Sequence, residues 1–299
     1  MNNILMGQLL ALATAFCWAI SSVSYEQAGK KIGSLNVNLI RLVMAYLFFT
    51  LYAIIFRGTP WPSGASAHNW IWLSLSGIVG FFLGDLFLFE AFVRIGARIT
   101  MLIFALVPPI TAMLGFFFLN EILSISDFIG MFITILGVAL VILKRGDGTK
   151  KLELKHPLTG ILFGLGGAMG QSAGLVLSKY GMQDCNPFLV SQIRAISALI
   201  CFSLLITILR GWEKLSRSVL HLSAMKFISV GSFFGPFIGV SVSLYSIRYI
   251  STGVASTITS IVPVILIPPA IILFKEKVNT IEIIGAITAV IGVAILFMF

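Results

Sequence analysis

The chain has 299 residues, of which 58% are hydrophobic and only 10% charged, and its mean hydropathy is +1.04. Soluble domains carry about 25% charged residues, so this composition excludes a soluble globular protein and indicates a membrane protein. The net charge of +9 comes from basic residues in short loops, as the positive-inside rule expects. No continuous basic patch with stacking aromatics is visible, so we expect no nucleic-acid partner.

Apolar segments long enough to cross about 30 Å of hydrocarbon follow one another along the whole chain. They fall at about residues 4–25, 36–56, 69–89, 95–119, 126–143, 158–178, 188–209, 224–245, 250–274 and 280–297. No segment alternates as a barrel strand does. The sequence therefore predicts an all-α integral membrane protein with about ten transmembrane helices. The first segment lacks the basic start of a signal peptide, so we predict that it is a retained helix.

The second half of the sequence repeats the first. Val107-Pro108, Glu121, Gly130 and Gly137-Val138-Ala139 return 155 positions later as Val262-Pro263, Glu276, Gly285 and Gly292-Val293-Ala294. Earlier in each half the offset is 153, as between Arg41 and Arg194. This predicts two five-helix repeats, at 1–147 and 155–299, joined by a basic linker at 148–154. Because five is odd, the second repeat must enter the membrane inverted.

The positions of the basic loop residues agree with inversion. Most of those outside the linker region follow odd-numbered helices and would share one face: Lys30, Lys31, Arg94, Arg98, Arg210, Lys214, Arg217, Lys275 and Lys277. Three others, Arg57, Lys179 and Arg248, follow even-numbered helices and would lie on the opposite face. By the positive-inside rule the richer face is cytoplasmic, and both termini lie outside.

The arrangement of the two halves resembles a known family. Two homologous five-helix halves, each ending in the Pro, Glu, Gly and Gly-Val-Ala signature described above, resemble the EamA-type permeases of the drug/metabolite transporter superfamily over nearly the whole chain. The resemblance implies a carrier for small metabolites, often amino acids or related compounds, frequently working as an exporter. It also implies a cavity lined by the first, third, fourth, sixth, eighth and ninth helices. Family members usually have both termini in the cytosol, the opposite of what the charges predict.

Polar side chains within the helices form the predicted substrate site, because such groups are costly in hydrocarbon unless they face a cavity or a partner. Trp18 and Tyr25 share one stripe of the first helix with Thr14, and Gln171 occupies the place of Trp18 in the sixth helix. Hydrogen bonds to the carbonyl four residues earlier are the alternative interpretation for Thr14 and the serines. The predicted substrate-binding residues are Trp18, Ser22, Tyr25, Asp85, Arg98, Gln171, Tyr245, Ser256 and Thr259.

Charged residues near the third and fourth helices have two interpretations. Asp85 and Arg98 lie about equally far from a predicted turn at Ala91–Phe92, so they could pair. Asp85 could also take up a proton or bind an ammonium group. Alternatively these residues form an interfacial salt-bridge cluster, in which Glu90 and Arg94 have the favourable spacing of four.

The two halves differ at the acidic positions but share their arginines. Val240 and Tyr245 replace Asp85 and Glu90 in the second half, so the predicted cavity is electrostatically asymmetric. The equivalent Arg41 and Arg194 are predicted to extend to the membrane interface or to donate hydrogen bonds to loop carbonyls.

Paired prolines and glutamates have simpler interpretations. Pro108 and Pro263 are predicted hinges, because a proline inside a helix frees a carbonyl and bends the helix. Glu121 and Glu276 precede the last helix of each repeat and are interpreted as structural.

One sequence pattern typical of enzymes is rejected as catalytic, and the cysteines predict no metal site. Gly170-Gln171-Ser172-Ala173-Gly174 matches GxSxG, but it lies in a predicted helix, whereas a nucleophile elbow needs a preceding strand and a histidine within reach. We interpret it as helix packing. Cys17, Cys185 and Cys201 form no CxxC pair, so we expect no metal site and no cofactor.

The inverted repeats predict a secondary transporter of the plasma or inner membrane, and the resemblance to EamA-type permeases implies that it exports small metabolites such as amino acids or related compounds. The two repeats would rock around a midplane cavity, in a monomer or weak dimer. No Walker motif is present, so the energy would come from a gradient of protons or of the substrate. The alternatives are a membrane-embedded enzyme, such as a lipid or acyl transferase, and a receptor or scaffold without transport.

Overall fold

The computed structural model describes residues 3–119, 124–145, 152–154, 156–183, 185–246, 249–250, 255, 258–272, 275 and 278–298. The first half contains α1 (Asn3–Ile32), α2 (Ser34–Arg57), α3 (Ala67–Ser76), α4 (Asp85–Ile103), α5 (Val107–Leu119) and α6 (Ile125–Ile142). The second half contains α7 (Leu158–Met182), α8 (Pro187–Ile208), α9 (Trp212–Val219), α10 (Leu222–Ser232), α11 (Val240–Ser246), α12 (Val262–Ile265), α13 (Ile267–Ile272) and α14 (Thr280–Met298). Between the halves, β1 (Leu143–Arg145) pairs antiparallel with β2 (Leu152–Leu154).

The helices account for the predicted number of membrane crossings. Among the described residues, seven helical stretches are long and apolar enough to cross a membrane, and two shorter apolar helices lie at 262–272 and 280–295. The stretch 67–118 has 52 residues, whereas one crossing needs about 20, and it is broken at Gly96. It therefore crosses twice, and the predicted all-α membrane fold is confirmed.

The chain reverses at Gly96, so the turn predicted at Ala91–Phe92 is wrong. Both residues of the predicted turn are buried within α4. Gly96 has φ +78°, which glycine adopts without the strain of a Cβ. After it, the backbone N–H of Ala97 donates to Glu26 Oε2 of α1 at 2.6 Å, which satisfies a free donor at the start of the new helical segment. The turn thus depends on a carboxylate from a distant part of the chain.

Equivalent helices of the two halves run antiparallel, which establishes the inversion. Gly137 of α6 lies against Gly285 of α14, and Gly130 lies against Gly292, so residue numbers increase in opposite directions along the pair. Because α6 and α14 hold the same place in their halves, one half is inverted relative to the other. The four glycines allow this close approach.

The same pseudo-symmetry governs the crossings around the centre of the molecule. A π-helical segment joins α3 to α4 at Gly77–Gly84, and another joins α10 to α11 at Phe233–Gly239. The first packs against α7 so closely that a Cβ on Gly174 would lie 2.7 Å from the Cα of Gly80. The second packs against α1, where a Cβ on Gly235 would lie 3.2 Å from Ser21. Each π segment therefore lies against the first helix of the other half.

Contacts between loops confirm which connections share a face. Lys31, in the last turn of α1, donates to the Ser223 hydroxyl in the first turn of α10 at 2.9 Å. Gln192 of α8 donates to the Pro60 carbonyl after α2 at 2.8 Å, at the other face. The connections after α1 and before α10 therefore meet at one face, as the basic residues predicted.

Candidate substrate cavity

A cavity of about 240 Å³ lies between the two halves. It is lined by residues of α1, α2, α4, α5, α7, α8, α11 and α12, by the short segment between α4 and α5, and by both π segments. The predicted lining did not include α2 and α8, which are the second and seventh of the ten predicted helices. These two helices contribute Arg41 and Arg194. The predicted residues that line the cavity are Trp18, Ser22, Tyr25, Asp85, Gln171 and Thr259, together with Pro108 and Pro263.

The remaining predicted site residues are placed differently. Arg98 is outside the lining and forms an ion pair with Glu282 of α14. Tyr245 is also outside the lining and packs against Phe188, with 6.1 Å between the ring centroids. Ser256 lies outside the described residues, as do Glu121 and Glu276.

The predicted pairing of Asp85 with Arg98 is wrong, because Asp85 pairs with Arg41. With the reversal at Gly96, Arg98 lies two residues from the turn, whereas Asp85 lies eleven residues before it. At 1.5 Å per helical residue, that separates Asp85 from the turn by roughly 16 Å of depth. The predicted similarity of depth therefore depended on the misplaced turn. The predicted salt bridge between Glu90 and Arg94 is confirmed, with 2.8 Å between Arg94 Nη2 and Glu90 Oε1.

Arg41 and Asp85 form a buried ion pair in the cavity wall, with both side chains 4% exposed. Arg41 Nε donates to Asn38 Oδ1 at 3.1 Å, and Asn38 Nδ2 donates to the Asp85 carbonyl at 3.1 Å. The guanidinium carbon also lies 4.6 Å from the ring centroid of Phe89. The predicted extension of Arg41 to the interface is therefore wrong. Buried charges need this combination of a counter-charge and hydrogen bonds.

Arg194 is also buried, so its predicted extension to the interface is wrong too. It lines the cavity, and its guanidinium carbon lies 4.1 Å from the ring centroid of Phe81, a cation–π contact. Gln171 Oε1 and Arg194 Nη2 both lie beside Gly80, where a Cβ would be 3.3 and 3.0 Å from them. Arg194 Nε has no hydrogen-bond partner within the described part of the chain. The signal in the sequence was the repetition of an arginine at one helical position in both halves.

Aromatic rings form much of the remaining cavity wall. Tyr25 and Phe89 lie 4.7 Å apart between centroids, and Phe89 and Phe92 lie 5.6 Å apart. The Tyr25 hydroxyl is buried and has no hydrogen-bond partner among the described residues. The cavity therefore combines an aromatic surface with a few polar groups, which is the usual composition of a small-molecule site.

The helix serines and Thr14 follow the alternative interpretation of their sequence positions. Thr14 Oγ1 donates to the Leu10 carbonyl at 2.9 Å, and Ser22 Oγ donates to the Ala19 carbonyl at 3.0 Å. Ser172 lies within α7 and donates to the Ala168 carbonyl at 2.8 Å, as a packed helix serine does. The hydroxyl donors of Ser22 and Ser172 are thus already engaged by the backbone.

Both predicted hinge prolines adjoin irregular backbone at the cavity. A 3₁₀ segment at Phe104–Leu106 separates α4 from α5, in which Pro108 is the second residue. In the second half Pro263 is the second residue of α12, which follows turn residues at 260–261. Interrupted helices beside a binding cavity are a feature of secondary transporters. The hinge role itself stays a prediction.

Comparison with known proteins agrees with this architecture. A 23% identical protein of Haemophilus influenzae, called an uncharacterized transporter, matches over 185 residues, which is 60% of this chain and 59% of that protein. An uncharacterized membrane protein of Saccharomyces cerevisiae is 26% identical over 188 residues, covering 58% of this chain and 45% of that protein. The chain thus spans only about half of the length of these relatives.

A solved crystal structure has the same fold. It superposes with a TM-score of 0.64 at 15% identity, covering 98% of this chain and 96% of the other. The model of the EamA-like transporter family matches twice, at residues 5–143 and 158–298, once in each half. Because these two matches cover nearly the whole chain, the protein belongs to the EamA-like transporter family, and its apolar helices make it a multi-pass membrane protein.

Proposed function

We propose that this protein is a secondary transporter of the cell membrane that exports small metabolites such as amino acids or related compounds. The substrate would occupy the cavity between the two inverted halves and would reach either side by alternating access. A gradient of protons or of the substrate would drive the cycle.

The observation that carries this proposal is the cavity itself. It lies between the halves and has an aromatic wall, a buried ion pair and a second buried arginine. Its volume of about 240 Å³ is below the range of roughly 300–1,000 Å³ that is usual for ligand pockets, which favours a small metabolite over a drug-sized compound.

The pseudo-symmetric crossings support alternating access. One half contributes α1 and the other α7, and each packs closely against the π segment of the opposite half. Rocking about these crossings would open the cavity to one side while closing it to the other, with bending at Pro108 and Pro263.

Uptake into proteoliposomes tests the function. The purified protein should take up one class of compound from a panel of amino acids, purines and small carboxylates, assayed at two pH values. Uptake should saturate, and unlabelled substrate inside the vesicles should accelerate it. Gln171→Trp should block uptake by filling the cavity. Ile208→Trp, on a side chain that is 77% exposed, adds the same bulk outside the cavity and should leave uptake intact. Equal uptake by all three proteins would contradict transport through this cavity.

Cysteine labelling separates a transporter from a receptor or scaffold. In a background without Cys17, Cys185 and Cys201, Trp18→Cys and Gln171→Cys should react with a small membrane-impermeant maleimide, because both positions line the cavity. Substrate that accelerates or slows this reaction would indicate alternating exposure. Complete protection in every condition would favour a protein without a transport path.

A further inference from the structure

The two arginines of the cavity are equivalent by the internal repeat, but their surroundings differ. Arg41 and Arg194 are 153 positions apart and hold the same place in α2 and α8. The partner of Arg41 is Asp85, and the residue equivalent to Asp85 is Val240. Thus, Arg41 has a carboxylate within its own half, whereas Arg194 has a valine in the corresponding place.

The hydrogen-bond partner of the arginine is also different in the second half. Arg41 Nε donates to Asn38 Oδ1, and the residue equivalent to Asn38 is Ser191. The Ser191 hydroxyl and Arg194 Nε are both buried without a hydrogen-bond partner in the described part of the chain. Two substitutions between the repeats have therefore removed both polar partners that an arginine has at this position in the first half.

The charge of Arg194 is left poorly compensated by the protein. Among the described residues, the charged side chains that line the cavity are Arg41, Arg194 and Asp85, which leaves one positive charge in excess. Asp85 forms its ion pair with Arg41. A buried charge without a close counter-charge is costly in a low-dielectric site, so a ligand that supplies a negative charge is favoured there.

We propose that Arg194 binds the carboxylate of the transported molecule, which takes the place at Arg194 that Asp85 takes at Arg41. This inference rests on the proposed transport function and narrows its substrates to small molecules with a free carboxylate. A guanidinium presents a planar fork of donors that matches a carboxylate, and the Arg194 guanidinium carbon is positioned 4.1 Å from the ring centroid of Phe81. The rest of the molecule would lie against the aromatic wall formed by Tyr25 and Phe89.

Matched acids and amides test the carboxylate requirement. Benzoate with benzamide and L-leucine with L-leucinamide differ within each pair only at the carboxyl group, which is an anionic acceptor in the acid and a neutral amide with two N–H donors in its partner. We expect the acid of at least one pair to bind the purified wild-type protein at least about tenfold more tightly than its amide, because a hydrogen-bonded charge is lost in the amide. Ligand-induced thermal stabilisation and competition for uptake measure this ratio.

Position 240 allows a test that leaves Arg194 in place. Val240→Asp supplies the internal carboxylate that Asp85 supplies in the other half, and it should reduce acid binding by at least about tenfold. Val240→Asn has nearly the same size without the charge and should keep the acid preference. Arg194→Gln should bring the acid-to-amide ratio close to one. Arg217→Gln, at a side chain that is 77% exposed on α9, is the control for loss of an arginine.

The outcomes separate this inference from the transport function. If amides are bound and transported as well as their acids, or if Val240→Asp and Val240→Asn retain equal acid preference, Arg194 does not bind a carboxylate, although transport stands. If acids bind with the expected preference but no compound is transported, the site stands and the transport function fails. A folding defect in Val240→Asp would show as loss of the monodisperse peak in size-exclusion chromatography. In that case, the acid-to-amide ratio of Arg194→Gln decides whether Arg194 binds the carboxylate.

Discussion

The central charge arrangement of the cavity depends on three side chains. Arg41 and Asp85 neutralise each other, and Asn38 connects them to the backbone of α4. A buried ion pair of this kind contributes little net stability compared with apolar residues of the same volume, but removing one partner leaves the other charge buried alone. We therefore expect variants that remove only one of the two charges to destabilise the fold more than variants that remove both.

Asp85→Asn should lower the free energy of unfolding by about 3–5 kcal/mol, because Arg41 would remain buried without its counter-charge. Thermal unfolding of the detergent-solubilised protein measures the change. The double variant Arg41→Met with Asp85→Leu should recover most of the loss. A melting temperature unchanged by Asp85→Asn would mean that the pair does not form.

Proton coupling through Asp85 has its own test. If this carboxylate carries a proton during transport, Asp85→Asn should remove the pH dependence of uptake and leave exchange of substrate for substrate. Uptake is compared at two pH values in wild type and variant. Transport and pH dependence that are both unchanged would exclude Asp85 as the proton carrier and favour the substrate gradient as the driving force.

The charged pairs mark the limit of what sequence reasoning could predict for the site. Asp85, Gln171, Trp18 and Tyr25 were identifiable because polar or amphipathic side chains inside apolar segments need a cavity or a partner. The partner of Asp85 was not identifiable. Two charged residues can pair only if they lie at similar depth in the membrane, and their depths depend on where the chain reverses. That position is determined by Gly96 with a carboxylate from α1, and no local pattern contains this information.

Individual helices were predictable in number and approximate position, but their ends were not. The first apolar run stops at Tyr25, whereas α1 continues to Ile32. The added turns contain Glu26 and Lys30, which pair at the favourable spacing of four, so charged residues extend the helix beyond its apolar part. The π segments also escaped prediction, since their glycines indicate close packing without indicating the helix type.

Helix crossings at the centre of the molecule require glycine. Gly174→Leu should prevent α7 from approaching the first π segment, because even a Cβ would lie 2.7 Å from the Gly80 backbone. Overpacking typically costs about 1–3 kcal/mol, and backbone against backbone leaves little room for relief. The yield of monodisperse protein and its melting temperature measure the effect. Gly211→Ala is the control, since its nearest neighbour is 3.5 Å away, and equal behaviour of the two variants would contradict the crossing.

The whole architecture was the most predictable level, because duplication writes the same signature twice and an odd number of helices requires inversion. The sidedness of the molecule is still to be measured. The basic residues predict that the face carrying Lys31 and Arg217 is cytoplasmic and that the termini lie outside. The resemblance to EamA-type permeases implies the opposite orientation, with both termini in the cytosol.

A reporter pair fused after Phe299 decides the orientation. The charge distribution predicts activity of a reporter that works outside the cytoplasm, such as a phosphatase, and no fluorescence from a reporter that matures only inside. The opposite pattern would show that the basic face is external. If Lys30 and Lys31 determine the orientation, replacing both with glutamine should lower the fraction of molecules in the orientation that the reporters show.

The two central crossings are equivalent in position but unequal in bulk. In one, Ser76 and Ser178 meet through hydroxyls 2.7 Å apart; in the other, the ring of Tyr25 lies against Gly231. Two crossings that are held by different contacts are not equally stable. If the proposed alternating-access cycle operates, its inward-open and outward-open conformers would therefore differ in free energy. One of them would be the resting form, and a substrate would meet a ready binding site from one compartment more often than from the other.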